Sequence, residues 1–124
     1  MTIWVVFGSL LAGLGVVLGA FGSHGLEGVL SAEQLESFQV AVRYQMLHAV
    51  VLVVLGLFAN QYSIPYWIPF TFLVGIVLFS GSIYGLLLGP GWKFLGPITP
   101  LGGGCLIVGW FSLFGWSLWQ YTVS

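Results

Sequence analysis

Charge is what this sequence lacks. Its 124 residues hold only five formally charged side chains, Glu27, Glu33, Glu36, Arg43 and Lys93, and no aspartate at all. A soluble domain carries about 25% charged residues, and at 4% this chain could not cover a water-facing surface. That excludes a soluble enzyme, a nucleic-acid binder and a disordered segment. Cysteine is as scarce. Cys105 stands alone, so neither an intrachain disulfide nor a paired-cysteine metal motif can form. The net charge of −1 offers no general attraction to nucleic acid or to an anionic lipid surface. The first residues, Met1 to Trp4, hold no Lys or Arg. The apolar run behind them therefore reads as a membrane helix rather than a secretory signal, although Ala20-Phe21-Gly22 could pass for a cleavage site.

What is present is apolar length. A spanning helix needs about 20 largely apolar residues, and Ile3 to Gly22 supplies the first. The stretch Ser23 to Gln39 is polar and holds all three glutamates. No formal charge occurs between Arg43 and Lys93, which is length for two spans, divided at Asn60-Gln61-Tyr62-Ser63-Ile64-Pro65. A fourth runs from about Thr99 to Gln120, after the turn-rich Gly89-Pro90-Gly91 and Gly96-Pro97. The expected fold is an all-α membrane protein, one domain over 1–124. Four transmembrane helices form an up-and-down bundle with both termini at one membrane face, here face one. Most Trp and Tyr side chains fall at the two interfaces of that topology, as expected, and only Trp110 lands near mid-membrane. Ser31-Ala32-Glu33-Gln34 fits a capping box. A continuous helix from Ala32 to Ala59 would be about 42 Å long, against a hydrocarbon core of about 30 Å. The expectation is a short, separate amphipathic segment between helices 1 and 2, turned at Gly25 and Gly28.

Small residues form stripes for close helix packing: Gly8, Ala12, Gly15, Gly19 and Gly22 on the first helix, Gly81 and Gly85 on the third, Gly102 and Gly109 on the fourth. They serve packing within the bundle, or else an oligomer interface or a lumen for a small solute. Polar groups able to carry chemistry gather near face two: His24, Arg43, Tyr44, Gln45, His48, Ser80, Ser82 and Thr99. Three readings compete. The cluster is a hydrogen-bonded knot, a small-molecule, lipid-headgroup or proton site with Arg43 as anion anchor, or a haem site with His24 and His48 as axial ligands. No zinc set, phosphate loop or nucleophile–base–acid set can be assembled. No catalytic residue, metal or cofactor is therefore expected.

Several motifs occur in order: Gly19-Ala20-Phe21-Gly22-Ser23-His24-Gly25-Leu26, Tyr44-Gln45-Met46-Leu47-His48, Phe79-Ser80-Gly81-Ser82-Ile83-Tyr84, Ile98-Thr99-Pro100-Leu101-Gly102-Gly103 and Gly109-Trp110. Together they make the chain resemble the domain of unknown function 423 family, small bacterial inner-membrane proteins to which the eukaryotic transmembrane protein 256 is similar. Ser23 stands where many relatives have Ala. The resemblance implies a four-helix inner-membrane protein of this length and brings no activity to transfer. Arg43 and Lys93 at face two argue for a cytoplasmic face two, whereas the Lys and Arg that relatives carry at the second loop and C-terminal tail argue for cytoplasmic termini, the expectation kept here. The expected function is non-enzymatic, by homo-oligomerisation or as a small accessory subunit of a membrane complex, with the lipid bilayer as surroundings and no nucleic acid. The alternative is a small transporter or ligand-binding membrane protein using the polar cluster.

Overall fold

The structure, a computed structural model, describes residues 2–124. Its elements are helical. Helix α1 (Thr2–Val17) continues through a π-helical segment, Leu18–Gly22, into a last α turn, Ser23–Gly25. Helices α2 (Ala32–Tyr62), α3 (Trp67–Leu88) and α4 (Ile98–Val123) follow, the last preceded by a 3-10 turn, Lys93–Leu95. All four are long and apolar enough to cross a membrane. Short connections make them alternate in direction, so α1 and α4 place their outer ends at face one.

Local chemistry sets the boundaries. Helix α2 starts where Ser31 accepts from the Gln34 amide at 3.1 Å while the Gln34 side chain accepts from the Ser31 amide at 2.9 Å. It stops at Ser63, left-handed at φ 53, whose amide bonds back to Ala59. Pro69 and Pro100 both stand third in their helices, where the backbone N–H has no helical partner to lose.

The separate amphipathic segment is not there. One 31-residue helix runs from Ala32 to Tyr62, because no Gly or Pro interrupts it before Gly56. Its first turns are held by protein rather than lipid. Phe38 and Ala41 are wholly buried, and the Phe38 ring packs on Tyr84 of α3 at 5.5 Å. At about 46 Å the helix exceeds the hydrocarbon core, so its first turns, with exposed Glu33 and Glu36, stand beyond it.

The packing is serial: α1 against α2, α2 against α3, α3 against α4. Among the described residues the α4 backbone stays apart from those of α1 and α2, while Trp4 of α1 reaches across to Phe70 of α3, ring centroids 6.5 Å apart. The core lies toward face one, where Trp4, Leu52, Leu55, Ile68, Phe72, Ile76 and Leu106 meet. Glycines make the close approaches. A Cβ at Gly8 would stand 2.8 Å from the Ala49 carbonyl oxygen, and at Gly22 2.9 Å from the Phe38 ring; Gly15 faces Met46 and Gly19 faces Val42. On the other seam a Cβ at Gly102 would run into the backbone of Leu78 and Phe79, while Gly75 and Gly109 face Leu106 and Phe72. Ala12 is half-buried. Two residues of the expected stripes do not join helices. Gly81 is exposed with open space where a Cβ would go, and Gly85 meets Leu95 and Trp92 of the following connection. Helix α4 instead seats on α3 at Gly75, which no spacing pattern singled out.

Candidate functional site

Helix α2 carries two polar side chains three residues apart, Gln45 and His48, both only 3% exposed. In hydrocarbon each polar atom must find a partner inside the protein, and each does. The Gln45 amide nitrogen donates to the Leu11 carbonyl of α1 at 2.7 Å. Its oxygen accepts from the Tyr84 hydroxyl of α3 at 2.7 Å. One side chain thus ties three helices. A carbonyl can only accept, which sets the orientation of the amide.

His48 extends the tie to the fourth helix. Its Nδ1 lies 2.7 Å from the Tyr44 carbonyl oxygen, and its Nε2 lies 3.0 Å from the indole Nε1 of Trp110. The carbonyl only accepts and the indole only donates. Both bonds are therefore satisfied by a single form, the neutral imidazole with its proton on Nδ1. The ring also sits among aromatic neighbours, Tyr44, Phe72 and Trp110, with centroids 5.8, 6.0 and 5.9 Å away. Nearer face two, the Ser80 hydroxyl donates to the Ala41 carbonyl at 2.7 Å, a second bond between α3 and α2. The Ser82 and Thr99 hydroxyls bond to each other across α3 and α4.

Gln45, His48, Ser80, Ser82 and Thr99 thus belong to one interhelical set, although they do not all touch. Tyr44 contributes its carbonyl and a half-exposed ring that leans on Phe79 at 4.7 Å. His24 and Arg43 stand apart; both are exposed, and neither side chain makes a hydrogen bond among the described residues. For Arg43 the cause is helical geometry. Two residues from Gln45 is about 200° of rotation, so an inward Gln45 turns Arg43 outward. The expected convergence of His24 and Arg43 with the others does not occur.

Two members of the set escaped the list of candidates, Tyr84 and Trp110. Trp110 left a signal. It is the one Trp away from both interfaces, and an indole N–H at that depth needs an acceptor. The arrangement binds helices together rather than presenting chemistry. No buried side-chain nitrogen or oxygen among the described residues is without a partner. Both His48 nitrogens are engaged, so a haem iron there would have to displace the Trp110 or the Tyr44 bond, and His24 lies outside the set. No group of three His, Cys, Asp or Glu gathers among the described residues.

Comparison with known proteins places the chain. The family described as protein of unknown function (DUF423) matches residues 18–103, and the chain belongs to it. A UPF0382 membrane protein of Staphylococcus epidermidis is 43% identical over 114 residues, covering 91% of this chain and 93% of the relative. One from Staphylococcus saprophyticus is 42% identical, covering 91% and 94%. The UPF0382 membrane protein YwdK of Bacillus subtilis is 40% identical over 119 residues, with 91% and 94% covered. No solved structure matches the chain. The protein is a four-helix membrane protein.

Proposed function

We propose that this member of the DUF423 family is a non-enzymatic component of the bacterial inner membrane that works by association, as a homo-oligomer or as a small accessory subunit of a larger membrane complex. The observation that carries the reading is the full internal pairing of the buried polar groups. Gln45 and His48 hold helices together and keep no acid, base or nucleophile in reserve. Chemistry therefore has no obvious seat inside the bundle, and recognition falls to its outer surface. The serial packing supports this. Helices α1 and α4 each lean on the rest of the chain along one side, and their backbones do not approach each other among the described residues. The remainder of each is apolar surface open to lipid or to another membrane helix, with Phe111, Phe114 and Leu118 exposed on α4. The termini face the cytoplasm in this reading.

Native mass spectrometry of the whole chain released from mild detergent tests it. A discrete oligomer, or a stoichiometric complex with a second membrane protein, is the expected result. A monomer at every concentration, also after extraction from native membranes, overturns the proposal. Orientation is tested separately by labelling a cysteine placed at Ser124 in a Cys105→Ser background. Labelling from outside intact cells overturns the cytoplasmic assignment.

A further inference from the structure

The α2 and α4 backbones never approach each other, and what separates them is a furrow floored by α3. Two cavities lie along it. The outer, of about 450 Å³, has Ser37 and Val40 of α2 on one wall, Thr99 and Pro100 of α4 on the other, and Ile83 on its floor. The inner, of about 400 Å³, has Tyr44 and Leu47 on the α2 wall, Gly103 and Ile107 on the α4 wall, and Phe79 on its floor. Ser37, Val40, Tyr44 and Leu47 recur at spacings of three, four and three, which is one face of a helix. The two cavities therefore follow one another along the same furrow. Helices α2 and α4 both leave face two in the same direction, so the furrow starts there. From Ser37 to Leu47 the α2 wall rises about 15 Å and from Thr99 to Ile107 the α4 wall about 12 Å, so the furrow reaches about half-way through the ~30 Å hydrocarbon core. At its inner end the His48–Trp110 hydrogen bond crosses from one wall to the other and closes it.

The shape is open at one interface, apolar along its length and blocked at mid-membrane, which is the reach of one leaflet's acyl chain. The mouth holds charge of both signs. Glu33 is exposed one turn above Ser37 on the same face of α2. Lys93 is exposed in the 3-10 turn that leads into Gly96, itself part of the outer wall. Both cations of the chain, Arg43 and Lys93, belong to this end of the bundle, as do all three glutamates. We propose that the α2–α4 furrow holds one acyl chain of a zwitterionic glycerophospholipid from the face-two leaflet, with its phosphate toward Lys93 and its ammonium toward Glu33. A purely anionic headgroup would leave Glu33 and its neighbours unmatched, and a neutral diacylglycerol would use neither charge.

A built-in control exists. A second groove, of about 310 Å³, lies between α1 and α3, includes Gly81 and is lined by uncharged residues. A Cβ at Gly81 meets nothing within 4 Å, and one at Gly103 meets only the Phe79 ring at 3.7 Å. Either glycine accepts a larger side chain without a backbone collision. The whole chain in mild detergent is titrated with phosphatidylethanolamine, phosphatidylglycerol or diacylglycerol and weighed by native mass spectrometry. One phosphatidylethanolamine per chain is expected, with weaker binding of the other two. Gly103→Leu lowers its affinity by at least about tenfold, Gly81→Leu leaves it unchanged, and Lys93→Ala weakens it about fivefold. Thermal melts confirm that each variant is folded; if Gly103→Leu is not, Leu47→Trp, at an exposed position of the same furrow, replaces it. Retention of lipid by a folded, filled furrow overturns the proposal. So does equal loss in Gly81→Leu, equal binding of diacylglycerol, or a co-purified membrane protein in place of the lipid.

Discussion

Helix α1 and helix α4 are both outer helices, yet they are held in different ways. Against α2, α1 uses a long run of glycines, and most of them face side chains that can yield: Met46 at Gly15, Val42 at Gly19, Phe38 at Gly22. Among the described residues a single side-chain hydrogen bond, from Gln45 to Leu11, crosses that seam. Against α3, α4 uses fewer glycines, but Gly102 lies directly on the Leu78–Phe79 backbone. One side-chain hydrogen bond, between Thr99 and Ser82, crosses that seam, and a second, from Trp110 to His48, ties α4 past α3 to α2. In lipid, where apolar surface gains little by burial against another helix, contact distance and polar pairing carry association. The first seam spreads that task along its length. The second concentrates it at a few points, and so should fail more abruptly.

The sharpest way to break the second seam is Gly102→Ala. The added methyl meets backbone, which cannot rotate away, so the cost should reach about 3 kcal/mol, the upper part of the range for overpacking. Thermal unfolding in detergent, followed by circular dichroism, measures it. A variant as stable as the parent would mean that α4 seats elsewhere.

Gln45→Leu attacks the first seam. It removes one bond to Leu11 and strands the Tyr84 hydroxyl, so a loss of about 1–2 kcal/mol is expected, near the top of what membrane hydrogen bonds contribute. Adding Tyr84→Phe removes the stranded donor and should recover part of that loss. A double variant no better than Gln45→Leu alone would argue against the Tyr84 bond.

His48→Leu and Trp110→Phe test the tie between α2 and α4. Each should cost about 1 kcal/mol, and together less than their sum, because each removes the same bond. Strict additivity in a double-mutant cycle would show that the two side chains do not interact.

The smallest effects sharpen the contrast. Gly15→Ala presses on the Sδ and Cγ of Met46, a flexible side chain, with the Gln45 Nε2 in ordinary contact, and should cost less than about 1 kcal/mol. Gly81→Ala should cost nothing, since its Cβ meets open space and Ala favours helix by up to about 1 kcal/mol over Gly. If Gly81→Ala breaks an oligomer in native mass spectrometry while leaving the melt unchanged, that face is where a second molecule sits.

Much of this molecule is legible in its residues taken alone. Five charges in 124 residues and four apolar runs determine an all-α membrane protein and the number of its spans, because partition into lipid depends on composition over about 20 residues and on little else. The capping box at Ser31 marks the start of α2 for the same local reason. The polar residues near face two are conspicuous simply because polar residues in a span are rare. Which of them meet is another matter. Whether Gln45 reaches Tyr84, whether Trp110 finds His48 and why Arg43 and His24 stand outside depend on the rotation of each helix about its axis and on its neighbours. Periodicity constrains the first and says nothing of the second. The separate amphipathic segment failed on the same ground. Phe38 has the look of a lipid-facing residue until α1 and α3 are placed around it. The stripes of glycine share that ambiguity: Gly102 and Gly81 read alike in the chain, and only packing puts a backbone against one and open space beside the other.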